Sequence, residues 1–240
     1  SQITLNNAGL VDVQDGSVTL NWGGLYTGTF NVAASKLLTF SGGTHQLNGT
    51  VFTGTGSVVQ SGGTLTLLSN ISTNSMSLNV GLVNGAFDLN INGGLVLGGN
   101  LNNDGNTVVT GTMVWNGGSI GNGIVNGSVT VNGLLTMQTG THILNKKIIN
   151  ANGGVLHTAG NLNMGNAGIF NLSLGQTYTA SSSSGMLNDP GSGGGGIVNI
   201  SGTLLRNTAG AFDVGSQITL NNAGLVDVQD GSVTLNWGGL

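Results

Sequence analysis

Short runs of strict apolar–polar alternation recur along the whole chain. Val18-Thr19-Leu20, Thr64-Leu65-Thr66-Leu67, Met76-Ser77-Leu78-Asn79-Val80 and Val129-Thr130-Val131 represent the pattern. A two-residue period places alternate side chains on opposite faces, which predicts strands with one buried side. In Val129-Thr130-Val131 the valines are expected to point inward and Thr130 outward. Gly and Asn-Gly punctuate the runs, at Asn48-Gly49, Asn84-Gly85, Asn92-Gly93, Asn126-Gly127 and Asn132-Gly133. Asn-Gly between strands is the usual signal of a tight hairpin, so an antiparallel sandwich is one reading.

Repetition favours a different reading. Ser41-Gly42-Gly43-Thr44 returns 20 residues later as Ser61-Gly62-Gly63-Thr64. Phe motifs occur at Gly28-Thr29-Phe30-Asn31-Val32, Gly85-Ala86-Phe87-Asp88-Leu89, Gly168-Ile169-Phe170-Asn171-Leu172 and Gly210-Ala211-Phe212-Asp213-Val214. Their Phe spacings of 57, 83 and 42 lie near multiples of one unit of about 20 residues. Sandwich strands have no need to repeat residue types at one spacing, whereas stacked coils set each residue above its predecessor. The expected fold is all-β, a parallel β-helix (β-solenoid) with coils of about 20 residues, its Gly and Asn residues at the corners.

A much longer repeat overlies the short one. Residues 1–25 recur without change at residues 216–240, an offset of 215. We therefore expect residues 1–215 to form one large solenoid repeat and residues 216–240 to open the next, in an equivalent coil related mainly by translation along the axis. Fusion of two copies by engineering is the alternative origin. From Phe212 to the Phe expected in the next repeat the spacing is 33, which fits a 20-residue unit badly and implies coils of variable length. Residues 180–196 break the strand pattern with Ser181 to Ser184, Asp189-Pro190-Gly191 and Gly193 to Gly196. Asp-Pro-Gly is turn chemistry, so this segment is expected to be a flexible excursion from the wall.

Composition narrows the functional classes. The chain has 240 residues, 46 of them Gly, one Pro and no Cys, and only 5% are charged. Its eight acidic residues are all Asp, and Lys36, Lys146, Lys147 and Arg206 are its cations. Scarcity of Glu and Lys beside abundant Gly and Asn argues against helix. With 38% hydrophobic residues and a formal charge of −4 the chain is not disordered. Four scattered cations make no nucleic-acid surface, and no apolar run is long enough to span a membrane. No disulfide is available, and no basic segment leading into an apolar one opens the sequence, so any export signal is expected outside this stretch.

The stretches Leu5-Asn6-Asn7-Ala8-Gly9 running into Val11-Asp12-Val13-Gln14, Gly28-Thr29-Phe30-Asn31-Val32-Ala33, Leu38-Thr39-Phe40-Ser41-Gly42-Gly43-Thr44-His45 and Val114-Trp115-Asn116-Gly117-Gly118 carry a resemblance. They are similar to giant bacterial surface proteins whose tandem repeats form right-handed parallel β-helix stalks, in the manner of autotransporter-like and filamentous-haemagglutinin-like adhesins. The resemblance covers nearly the whole chain except residues 180–196. It implies a right-handed coil, secretion from a bacterium, and service as a stalk, fibre or matrix component at the cell surface.

Candidate chemistry is sparse. Some β-helices cleave polysaccharides with convergent carboxylates, but here Asp12 and Asp15 form the one close pair in the unique repeat. Asp88, Asp104, Asp189 and Asp213 are scattered, Asp227 and Asp230 duplicate the pair, and Arg206 stands alone. His45, His142 and His157 lie far from any Asp in sequence. No Gly-Gly-x-Gly-x-Asp calcium phrase occurs. Ice binding needs an even Thr-x-Thr ladder, and Thr27-Gly28-Thr29, Thr53-Gly54-Thr55 and Thr64-Leu65-Thr66 are unevenly placed. Trp22, Trp115 and Trp237 precede Gly-containing turns and Tyr26 follows one, as corner aromatics packed on a neighbouring glycine or as sugar platforms.

No catalytic, cofactor or metal site is therefore assigned. The expected function is non-catalytic: a structural component of an extracellular fibre or surface stalk. A glycan-binding adhesin stalk is the alternative, and a carbohydrate-active enzyme stands behind it. Both ends read as interior coils, so the expected partners are copies of the chain itself, end to end or as covalent tandem repeats, with surface glycans as further candidates.

Overall fold

The computed structural model describes residues 2–236, so the last four residues of the duplicated stretch, Trp237 among them, lie outside the described residues. Leu10–Val13, Ser17–Leu20 and Gly24–Tyr26 are the three strands of one coil. The next coil repeats them as Thr29–Val32, Leu37–Phe40 and Thr44–Leu47, each paired in parallel with its counterpart. The same rule continues to Leu235, except that on the first wall Val51–Thr53 and Ile71–Thr73 are not paired with each other. Among the described residues there is no helix, and about 11 coils make a parallel β-solenoid of three walls. At roughly 4.8 Å per coil the stack is about 50 Å long.

The walls are named here in chain order. The first holds Leu10–Val13, the second Ser17–Leu20 and the third Gly24–Tyr26. Alternation decides what each wall buries. Val129 and Val131 are fully buried and Thr130 between them is not, as the two-residue period requires. A continuous apolar column results on every wall, for example Val58, Met76, Leu95, Met113, Leu135 and Val155 on the second. Parallel coils buried on the inside need no hairpins, and the Asn-Gly pairs serve corners instead.

The 20-residue echo marks stacked corners. Thr44 is the register partner of Thr64, and the amides of Ser41 and Ser61 bond the carbonyls of Leu20 and Phe40, each at 2.9 Å. Coil length varies, as expected. Leu89 lies 18 residues before its partner Thr107, Thr107 lies 22 before Val129, and Ile169 lies 28 before Ile197.

Two expectations need correction. The Phe motifs do not mark one place in the coil: Phe30 and Phe170 point inward from the first wall, Phe212 points inward from the third, and Phe87 is 40% exposed at a corner. The excursion is also narrower than residues 180–196. Gly185–Asn188 is a strand of the third wall with Met186 fully buried, pairing with Leu162, Asn163 and Met164. Only residues 189–196 leave the wall, and they are tied back to it. Asn145 Nδ2 donates to Ser192 Oγ at 2.7 Å, and the amides of Asn166 and Ala167 donate to the Gly193 and Gly195 carbonyls at 2.9 Å. Sequence pattern missed this strand because its Gly-Met-Leu-Asn lacks alternation.

Candidate functional site

The outward centre of the first wall is a polar row that advances one coil at a time. It runs through Asp12, Asn31 and Thr53 and, beyond a break in strand pairing, through Ser72, Asn90, Val108, Thr130, Asn150, Asn171, Asn199 and Asn221. Parallel register sets these side chains about 4.8 Å apart, which is the spacing carboxamides need to bond one another. Asn171, Asn199 and Asn221 each donate Nδ2 to Oδ1 of the Asn one coil before, at 2.8, 2.7 and 2.9 Å. At the other end Asn31 donates to Asp12 Oδ1 at 2.8 Å, and Thr53 Oγ1 donates to Asn31 Oδ1 at 3.0 Å. In sequence these residues lie 18 to 28 positions apart, so the row exists only through coil stacking.

Buried polar groups form a second system, inside the shaft. The last inward position of the second wall carries Phe40, Gln60, Leu78, Leu97, Trp115, Met137, His157, Ala180 and Arg206 in successive coils. Every polar member bonds a carbonyl of the corner that follows it. Gln60 Nε2 donates to Gly63 O at 3.1 Å, Trp115 Nε1 to Gly117 O at 2.9 Å, and His157 Nε2 to Gly160 O at 2.6 Å. Arg206 donates to Ala209 O at 2.7 Å and reaches down one coil to Ala180 O at 2.8 Å and Ser182 O at 2.5 Å. The sequence signal is a donor followed two to four residues later by Gly, as in Gln60-Ser61-Gly62-Gly63 and Trp115-Asn116-Gly117. Donors here satisfy carbonyls that a tight buried corner leaves without strand partners.

The histidines belong to this interior. Tyr178 donates its hydroxyl to His157 Nδ1 at 2.7 Å, and Tyr26 Oη and His45 Nδ1 share a hydrogen bond of 2.8 Å. His142 donates Nε2–H to Trp115 O at 2.8 Å. Burial holds all three imidazoles below their ordinary range, His157 down to about 4. Burial also raises both phenols, Tyr26 to about 12. The three rings pack against the aromatic side chains of the interior.

Lys147 is fully buried as well. It fills the space under the long corner of residues 121–127 and donates to Asn103 O at 2.6 Å, Asn103 Oδ1 at 3.1 Å and Gly105 O at 3.2 Å. Burial pulls its ammonium down to about 8, against the opposing pull of the Asp104 charge.

The carboxylates do not converge. Asp12 sits in the polar row, while Asp15 pairs with Lys36 at 2.6 Å at an exposed corner. Asp88 and Asp104 accept backbone amides of Asn106 and Asn126 at 2.7 and 2.6 Å, and Asp189 accepts the Ser192 hydroxyl within its own loop. Among the described residues no three His, Cys, Asp or Glu side chains form a metal-sized group, and no helix is long and apolar enough to cross a membrane.

No family model, curated protein or solved structure matches the chain. The fold class therefore rests on the coil geometry itself.

Of the aromatics expected at corners, Trp115 and Tyr26 are fully buried. Trp22 is 50% exposed and lines, with Ile3, Leu5 and Leu20, a cavity of about 270 Å³ against the first coil. The Thr-x-Thr phrases fall on different walls and corners.

Proposed function

We propose that this chain is a stretch of an extracellular structural shaft, built from tandem solenoid repeats at a bacterial cell surface and acting without catalysis. The observation that carries this reading is the parallel coil-on-coil stacking of all three walls, interrupted in strand pairing on the first wall between Val51–Thr53 and Ile71–Thr73, combined with the recurrence of residues 1–25 at 216–240. Each coil presents to the next the same inward apolar columns it receives, so the stack extends without change of plan. Such a stack satisfies its strand backbone through bonds parallel to the axis, as cross-β structures do, and resists extension along that axis. Few exposed charges and few tryptic sites suit a long-lived extracellular fibre.

The test is the size and shape of the native material. Covalent tandem repeats remain very large on denaturing electrophoresis and appear as thin filaments at the cell surface. A compact native protein of about this length, with other domains on both sides, overturns the reading.

A second reading, a stalk that binds glycans along its side, is supported by the outward polar row of the first wall. Loss of glycan-array binding on Asn171→Ala and Asn199→Ala substitution supports it. No binding by the unaltered chain removes it.

A further inference from the structure

Against the expectation of equivalent coils related mainly by translation, the two copies of the duplicated stretch lie on different walls. Leu10–Val13 belongs to the first wall, where Leu10 pairs with Thr29. Its duplicate, starting at Leu225, pairs with Thr203–Arg206 of the second wall. Ser17–Leu20 lies on the second wall, while Ser232 to Leu235 pair with Ala211 to Val214 on the third. Asn7 bridges Tyr26 of the third wall, while Asn222 pairs with Ile200 of the first. All three sides shift in the same sense. The inward residues stay inward: Val226, Val233 and Leu235 stand over the buried Leu204, Phe212 and Val214.

The arithmetic of the coil explains the shift. Leu10 and Thr219 stand on the same wall ten coil steps apart, at a separation of 209 residues. An offset of 215 overshoots by six, which is the distance from Thr219 on one wall to Leu225 on the next. One repeat is thus ten coils and one further side. The awkward spacing of 33 between Phe212 and the next expected Phe follows directly. It leads from the third wall to the second wall two coils on, which is one and two-thirds coils.

We infer that in a tandem array each repeat is turned by one wall, about 120°, relative to the one before, and regains its orientation only after three repeats. This rests on the tandem-repeat reading above. The carboxamide row then occupies the three sides of the shaft in rotation. A neighbouring copy lying along any one side meets that row in one repeat of three, so shafts of this chain contact one another equivalently on all three sides. A repeat of ten whole coils has a single decorated side and favours pairing across that side alone.

The register at the junction is testable in this chain, which has no native Cys. Leu205 and Asp227 are outward register partners. Adjacent strands hold such partners about 4.8 Å apart, within the range a disulfide spans. Stacking by translation alone keeps Asp227 on the first wall, where its duplicate Asp12 lies, and so sets it over Asn199 in the place Asn221 holds here. Under mild oxidation Leu205→Cys/Asp227→Cys is expected to close, and Asn199→Cys/Asp227→Cys to stay reduced. Asn199→Cys/Asn221→Cys, on partners bonded at 2.9 Å, is expected to close as a control. The reverse pattern, closure of both Asp227 pairs, or closure of neither beside a closed control overturns the inference. Each of those outcomes leaves the tandem shaft standing, because that reading depends on the size of the native material.

Discussion

Asp12 and Asp227 occupy the same place in two identical stretches of sequence, yet Asp12 is the register partner of Asn31 on the first wall and Asp227 of Leu205 on the second. Neither position differs in local chemistry, since both aspartates point outward and both have a neighbouring Gln side chain bonded to them. What differs is the count of coils between them. The stack accepts the shift because all three walls offer inward apolar columns at the same coil spacing.

Charge placed inside the shaft is expected to be far more damaging than charge outside it. Val131 is fully buried, so Val131→Asp puts an unpaired carboxylate in the core and costs roughly 4 kcal/mol or more. Thr130→Asp on the outer side of the same strand costs less than about 1 kcal/mol. Chemical denaturation of the two variants measures the difference, and equal tolerance refutes the inside–outside assignment.

Stacked corners limit side-chain size. Gly63 has a positive φ of 65° and lies so close over Gly43 that a Cβ there meets the Gly43 carbonyl at 2.4 Å. Gly63→Ala is expected to cost about 2–3 kcal/mol through strain and displacement of the coil below. At Gly191, in the loop outside the wall, an added Cβ meets nothing within 4 Å, and Gly191→Ala changes stability by less than about 0.5 kcal/mol. Thermal midpoints of the two variants decide it.

Acid should loosen the shaft in a defined window. His157 has a folded pKa of about 4 against an ordinary 6.5, so the unfolded chain binds the extra proton between those values. Stability contributed by the neutral ring is complete above pH 6.5, is lost as pH falls towards 4, and then levels off. The loss from His157 alone is about 3 kcal/mol. His142 and His45 act in the same direction. Urea midpoints recorded from pH 7 to pH 4 should fall, and fall less for His157→Gln.

Buried and exposed cations should behave differently. Arg206→Met leaves the carbonyls of Ala180, Ser182 and Ala209 without their donors inside the corner, at a cost of about 3 kcal/mol. Lys36→Met removes only the pair with the almost fully exposed Asp15 and costs less than about 1 kcal/mol. Comparable losses from both substitutions in the same denaturation assay contradict the capping role of Arg206.

The sequence by itself determined the strands, the coil and the sidedness of the walls. Two-residue alternation at Val129-Thr130-Val131, the echo at Ser41 and Ser61, and the shortage of helix formers are local signals, and each reports a property that one coil has on its own. The positions of Gln60, Trp115, His157 and Arg206 were legible only as donors ahead of glycines. Their common column and common task appear once the coils are stacked. The same holds for the row of Asn150, Asn171, Asn199 and Asn221, whose members are 21 to 28 residues apart and become neighbours through register alone. Only the tertiary structure decided which wall each strand joins, because that depends on the summed lengths of every preceding corner. A two-residue change in one corner is invisible in a strand pattern. Across ten coils such differences accumulate to one full side, and two identical stretches of chain come to face different ways.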